Sequence, residues 1–108
     1  MMNIAFKSVL APYIQGLLDQ KRALGFKYDN EAYILARFDK YWLETNGDSD
    51  DVTMESLEGW TRLLPTEGKS SQAGRISVIR QLTLYMNGLG KLSYVPIDVI
   101  RYSRPVVH

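Results

Sequence analysis

The sequence predicts an all-α domain, a four-helix bundle with orthogonal or antiparallel packing and an extended C-terminal connector. Three observations carry the prediction. Apolar residues recur at i, i+3, i+4 and i+7 in four segments, no segment sustains the alternation of a half-buried strand, and each periodic segment has its own stop signal. The chain is 108 residues long, 45% hydrophobic and 23% charged, which suits one globular unit. A chain of this size buries roughly 60–70% of the surface its unfolded form exposes, enough for one core without disulfides or metals.

The first helix carries Leu10, Tyr13, Ile14, Leu17 and Leu24 on one stripe, with Ser8 as N-cap, Pro12 in the first turn and Gly25 as the left-handed terminator. The second carries Ile34, Leu35, Phe38, Tyr41 and Trp42. Asp29 or Asn30 caps it and Asn46-Gly47 ends it. The third opens at Thr53 after Asp48, Asp50 and Asp51, acids that suit the positive end of a helix dipole. Its inner face is Leu57, Trp60 and Leu64, and Pro65 stops it. The fourth runs from about Ser71 to Leu89 with Val78, Ile79, Leu82, Tyr85, Met86 and Leu89 on one side and Gly90 at its end. Connections of roughly four to eight residues fit a bundle of these helices. From Leu92 to His108 the stripe is lost, Pro96 and Pro105 appear, and the segment reads as an extended connector.

Composition narrows the chemistry. The chain has no cysteine, so disulfides, zinc–thiolate sites and thiol nucleophiles are excluded, and a reducing, cytoplasmic setting is expected. The one histidine is His108, the last residue, which leaves no basis for a histidine-centred catalytic or metal site. Asp48, Asp50 and Asp51 lack the glycine and terminal glutamate of a calcium loop at the required offsets. There is no phosphate-binding glycine loop, nucleophile elbow or carboxylate pair, and no apolar run approaches the roughly 20 residues of a membrane span. No cofactor, metal, small-molecule substrate or membrane partner is expected.

The net charge of +1 is a cancellation. Residues 1–47 carry +1, residues 48–67 carry −5 and residues 68–108 carry +5. Segregation of this kind lets a basic surface meet an anionic partner while an acidic one is turned away. On a helical wheel centred on Phe38, Tyr33, Arg37, Lys40 and Glu44 share one flank of the second helix, with Asp39 on another side. Arginine and lysine neutralise phosphates, and a tyrosine hydroxyl donates to them. The competing reading is a solvated face on which Glu44 pairs with Lys40. The start of the fourth helix, Lys69-Ser70-Ser71-Gln72, offers hydroxyls, an amide and a cation beside free backbone N–H groups. Arg75 lies near the buried stripe and Arg80 roughly opposite it. Ser70 or Ser71 also serves as an ordinary N-cap. Lys21, Arg22 and Lys27 surround Gly25 beside Tyr28; the dipole of the first helix accounts for one of them, and a phosphate-contacting rim at the start of the second helix is an equal alternative reading of the three.

Three runs, Leu10-Ala11-Pro12-Tyr13-Ile14, Lys21-Arg22-Ala23-Leu24-Gly25-Phe26-Lys27-Tyr28 and Leu35-Ala36-Arg37-Phe38-Asp39-Lys40-Tyr41, resemble the N-terminal core-binding domain of the tyrosine recombinases, the phage integrase family. The likeness continues through Val52-Thr53, Trp60, Ser70, Arg75-Ile76-Ser77-Val78-Ile79-Arg80-Gln81-Leu82, Tyr85-Met86-Asn87-Gly88-Leu89-Gly90 and Tyr94-Val95-Pro96, nearly the whole chain. It implies a SAM-like bundle that clamps one face of duplex DNA in integration and recombination, with its second and fourth helices toward the DNA. It also implies neighbouring recombinase protomers in a synaptic tetramer. The family's tyrosine nucleophile and its arginine, lysine and histidine-type partners lie in a separate catalytic domain, which this chain lacks. The seven tyrosines here are therefore not read as nucleophiles, and the chain alone is expected to be no enzyme. Residues 1–91 would form the clamp and 92–108, with Arg104-Pro105-Val106-Val107, the linker toward the absent domain.

The expected DNA contacts are Arg37, Lys40, Lys69 and Arg80, supported by Lys27, Tyr33, Ser71 and Gln72, whose amide suits an adenine edge. The alternative function is a SAM-like protein-interaction, or oligomerisation, module using an apolar flank of Ala73, Ile76 and Leu84.

Overall fold

Four helices follow one another as α1 (Ala11–Ala23), α2 (Asp29–Asn46), α3 (Met54–Thr61) and α4 (Lys69–Gly88). The computed structural model describes residues 5–62 and 68–96, and among them there is no strand. The architecture is the all-α four-helix bundle that the periodicity predicts. α4 packs against each of the other three helices, and α2 also meets α1 and α3. Leu10 at the N-cap of the first helix and its Ile14, Leu17 and Leu18, Leu35, Phe38 and Trp42 of the second, Leu57 and Trp60 of the third, and Val78, Ile79, Leu82 and Met86 of the fourth join in one core. Burial of each large side chain here contributes roughly 1.5–3 kcal/mol.

Two predicted core residues face water instead. Leu24 and Leu89 are 68% and 61% exposed. Each occupies the C-cap, followed by a left-handed glycine, Gly25 at φ 100° and Gly90 at φ 92°. The stripe does not extend past the last helical turn, because the left-handed residue swings the chain out of helical register. Leu64 and Pro65 lie outside the described residues, as do Arg101, Arg104, Pro105 and His108.

The caps depart from expectation at three starts. α1 begins after Leu10, and Ser8 Oγ accepts from the Leu10 N–H at 3.2 Å, so the serine shapes the turn before the helix without capping it. The N-cap of α2 is Tyr28, in the left-handed region at φ 56°, with no side-chain cap; Asp29 and Asn30 are already helical. α4 starts at Lys69 after Gly68, two residues earlier than predicted, so Ser70 and Ser71 lie inside its first turn and neither is its cap. Thr53 behaves as expected. It forms a capping box in which Thr53 Oγ1 accepts from Ser56 N–H at 3.1 Å and Ser56 Oγ accepts from Thr53 N–H at 2.8 Å.

Asp39 is the main structural residue that the pattern missed. It is 5% exposed, and its two carboxylate oxygens accept from the backbone N–H groups of Lys7 (2.8 Å) and Ser8 (2.9 Å). The side chain thus fastens the chain leading into α1 onto α2, 31 residues away in sequence from Ser8. Two glycines permit close packing by tyrosines. A Cβ at Gly16 would overlap the Tyr85 hydroxyl, and one at Gly59 would come within 3.0 Å of the Tyr41 hydroxyl. Glycine at 16 lets α1 approach α4, and glycine at 59 lets α3 approach α2.

The first residues of the predicted connector return to the bundle. Asn87 and Ser93 exchange hydrogen bonds at 2.9 Å, Tyr94 N–H donates to the Val52 carbonyl at 2.9 Å, and Lys91 pairs with Asp50 at 3.2 Å. Pro96 is buried.

Asp39→Ala should cost about 2–3 kcal/mol by leaving two N–H groups without their acceptor. Guanidinium unfolding with a lowered midpoint and an unchanged slope would show it. Gly16→Ala is expected to destabilise the chain by about 1–3 kcal/mol through overpacking. In a Tyr85→Phe background the same substitution should cost measurably less, a coupling that a double-mutant cycle reads directly.

Candidate nucleic-acid interface

The site is assembled around the last turn of α3. The Trp60 ring stands edge-on to Phe38, centroids 5.2 Å apart, and lies 5.8 Å from Tyr41, so α3 is seated on the middle of α2. Tyr41 adds a hydroxyl donated to the Ser56 carbonyl at 2.8 Å. On the other side α4 grips the same turn. Gln72 Nε2 donates to the Thr61 carbonyl at 2.8 Å, and the Arg75 guanidinium donates to the carbonyls of Trp60 and, at 2.9 Å, Arg62. Arg75 also lies over the Trp60 ring, 5.2 Å from its centroid. Residues 60–62 therefore tie the packed side of α2, at Phe38 and Tyr41, to the first turns of α4.

This arrangement sorts the predicted contacts. Tyr33 is 59% exposed, and Arg37, Lys40 and Glu44 are exposed on the same flank. Successive steps of 100° place them within about 60° of one another, well away from Asp39. Lys69 and Ser71 are exposed in the first turn of α4, Lys27 is exposed just before α2, and Arg80 is half-buried on α4. Among the described residues, no ion pair engages Lys27, Arg37, Lys40, Lys69 or Arg80, and Glu44 makes none with Lys40.

Gln72 is the exception. It is 8% exposed with its amide committed to Thr61, so its role in this fold is to hold α3 on α4 and not to present an amide edge at the surface. Arg75, 3% exposed, is structural in the same way. Of the cations around Gly25, Arg22 pairs with Asp29 at 3.6 Å and donates to the Lys27 carbonyl at 3.2 Å, while Lys21 lies 5.8 Å over the Phe26 ring. Those two close the α1–α2 turn, and Lys27 alone of the three is left facing water. Beside it, Tyr28 is half-buried, and loss of water contact, with the nearby Glu31 carboxylate, pushes its phenol above the usual tyrosine range.

Arg62 is a cation that the spacing did not single out. Arg62 is exposed at the C-cap of α3, directly before the segment leading to α4. Its setting among Asp48, Asp50, Asp51, Glu55 and Glu58 hid it in an acidic stretch.

The apolar flank named for protein interaction is largely internal. Ala73 and Ile76 are 8% and 1% exposed, which leaves Leu84 as its one exposed member. Among the described residues no cluster of His, Cys, Asp or Glu is arranged to hold a metal, and no helix is long and apolar enough to cross a membrane. Comparison with protein-family models, with curated proteins and with solved structures finds no match to this chain.

Arg75→Ala is expected to lower stability by about 2–3 kcal/mol, because buried carbonyls lose their charged donor. Arg37→Ala and Lys40→Ala should stay within about 0.5 kcal/mol of the parent, as exposed substitutions do. Thermal and chemical unfolding of the three variants separates the structural arginine from the surface pair.

Proposed function

We propose that this chain is a duplex-DNA-binding clamp of the kind found in the core-binding domains of tyrosine recombinases and integrases, with positioning as its task and no catalysis of its own. The observation that carries the reading is the exposed flank of α2, where Tyr33, Arg37 and Lys40 stand side by side without carboxylate partners among the described residues. Among the described residues, no side-chain hydrogen bond, ion pair or ring contact engages these side chains. Arg22, Arg75 and Lys91 show what structural cations look like in this fold: each is tied to a carboxylate or a backbone carbonyl.

Lys69 supports the same reading. A cation in the first turn of a helix opposes the helix dipole, and α4 has no acid there to offset it, so an anion in front of this turn would be doubly favoured. Arg62 at the C-cap of α3 and Lys27 before α2 are further exposed cations. Phosphate contacts of this kind fix register on the duplex and carry little sequence information themselves. The resemblance to the recombinase core-binding domain adds the expectation of a separate catalytic domain and of neighbouring protomers on the same DNA.

Titration of a fluorescently labelled duplex with the full chain tests the proposal. Binding in roughly the micromolar range or weaker is expected at physiological salt, and log affinity should fall with log salt by about 0.9 for each phosphate neutralised. Arg37→Ala should weaken binding and reduce that slope by about 0.9, and Arg80→Ala should do the same. Affinity that is insensitive to salt, or unchanged in both variants, would overturn it.

A further inference from the structure

The chain contains two Asn-Gly pairs, Asn46-Gly47 and Asn87-Gly88, and the fold treats them very differently. We propose that Asn46 is a site of spontaneous covalent conversion to aspartate and isoaspartate in the folded protein, and that Asn87 is protected from the same reaction. The inference is independent of any reading of DNA binding.

The chemistry is intramolecular. The backbone nitrogen of the glycine attacks Cγ of the preceding asparagine, the new N–Cγ bond replaces the Cγ–Nδ2 bond, and ammonia leaves with the hydrogen from the glycine nitrogen. Water then opens the five-membered imide at either carbonyl, giving aspartate or the β-linked isoaspartate. Glycine favours the step because no Cβ obstructs the approach and the backbone turns freely. A helix opposes it, since the nitrogen is held by its own hydrogen bond and the asparagine side chain must fold onto a backbone that is already fixed.

Asn46 meets few of these obstacles. It is the last residue of α2, and Gly47 lies outside the helix at φ 55° and ψ −120°. The Asn46 amide donates only to its neighbour Thr45 Oγ1, at 2.9 Å, and among the described residues its Oδ1 accepts no hydrogen bond. One hydrogen bond restrains the nucleophile, from Gly47 N–H to the Trp42 carbonyl at 3.2 Å. Helix ends open locally at far lower free energy than helix interiors. Asn87 is secured on every side. Its Nδ2 donates at 2.9 Å to the carbonyls of Thr83 and Ser93, and its Oδ1 accepts from Ser93 N–H at 2.9 Å. Gly88 is itself the final residue of α4, and the turn beyond it is closed by Lys91 N–H on the Met86 carbonyl at 2.9 Å. Exposing Cγ of Asn87 requires the docked segment at Ser93 to detach first.

The product matters to the fold at Asn46. A new carboxylate would join Asp48, Asp50 and Asp51 at the negative end of the α2 dipole. Isoaspartate would also lengthen the backbone between α2 and Ser49, whose carbonyl accepts from the indole N–H of the fully buried Trp42 at 2.7 Å.

The experiment is incubation of the full chain at mildly alkaline pH, with peptide mapping by mass spectrometry over time for the exchange of amide nitrogen for oxygen. Conversion at Asn46 should run at least about tenfold faster than at Asn87, the ratio given by a difference of about 1.4 kcal/mol in opening free energy. In guanidinium chloride the two rates should converge, and Asn46→Gln should abolish the early product. Equal rates in the folded chain, no conversion at Asn46, or a difference that persists in denaturant would overturn the proposal.

Discussion

The grip of α4 on the last turn of α3 is the interaction on which the arrangement depends. Arg75 supplies donors to two carbonyls and a cationic plane to the Trp60 ring, and Gln72 holds the next carbonyl, that of Thr61. The free carbonyls at the end of a helix need partners, and here they find them on a neighbouring helix instead of in water. Trp60, so held, packs on Phe38 and Tyr41 and fixes α3 against α2. α4 and α2 are thereby registered to one another through an eight-residue helix that is too short to be stable by itself. A buried arginine bound to carbonyls is costly to desolvate, and its value is geometric: few other side chains reach two carbonyls and an aromatic face together.

That joint explains why structural and surface cations had to be told apart by position and not by type. Arg75 and Arg80 lie five residues apart on one helix, yet the first is interior and the second partly exposed, because steps of 100° carry them to opposite sides of α4. Arg22 and Lys27 differ for a similar reason: the tight α1–α2 turn draws the first back onto Asp29 and the Lys27 carbonyl. A nearly neutral total conceals this division. The cations spent on the fold and the cations left on its surface have separate energetics, with the exposed set contributing little to stability and most to any field felt by an anionic partner.

The fold was legible where the physics is local and periodic. The stripes through Ile14, Phe38 and Leu82, the left-handed glycines at 25 and 90 and the cap at Thr53 follow from spacing and backbone sterics alone. The surface residues of α2 were legible for the same reason, since whatever faces away from Phe38 on a helix faces water. Long-range pairing was not. Asp39 reads as a surface acid until the backbone of Lys7 and Ser8 is brought onto it, and Gln72 reads as a recognition amide until Thr61 is known to sit beneath it. Both pairings join residues 11 or more apart in sequence, and no short window contains them. Leu24 and Leu89 failed in the opposite direction: the local rule was extended one step past the turn where it ceases to apply.

The central claim is that the exposed cations of α2, with Arg62 and Lys69, meet the DNA backbone. Backbone amide resonances of the isotopically labelled chain, followed as duplex is added at low salt, test it most directly. The account predicts shifts concentrated at Tyr33, Arg37, Lys40, Arg62 and Lys69 and their neighbours, fading as salt is raised, with residues 48–51 unaffected. Shifts confined to the acidic segment or to Leu84 and its surroundings, or none at any duplex concentration, would contradict it.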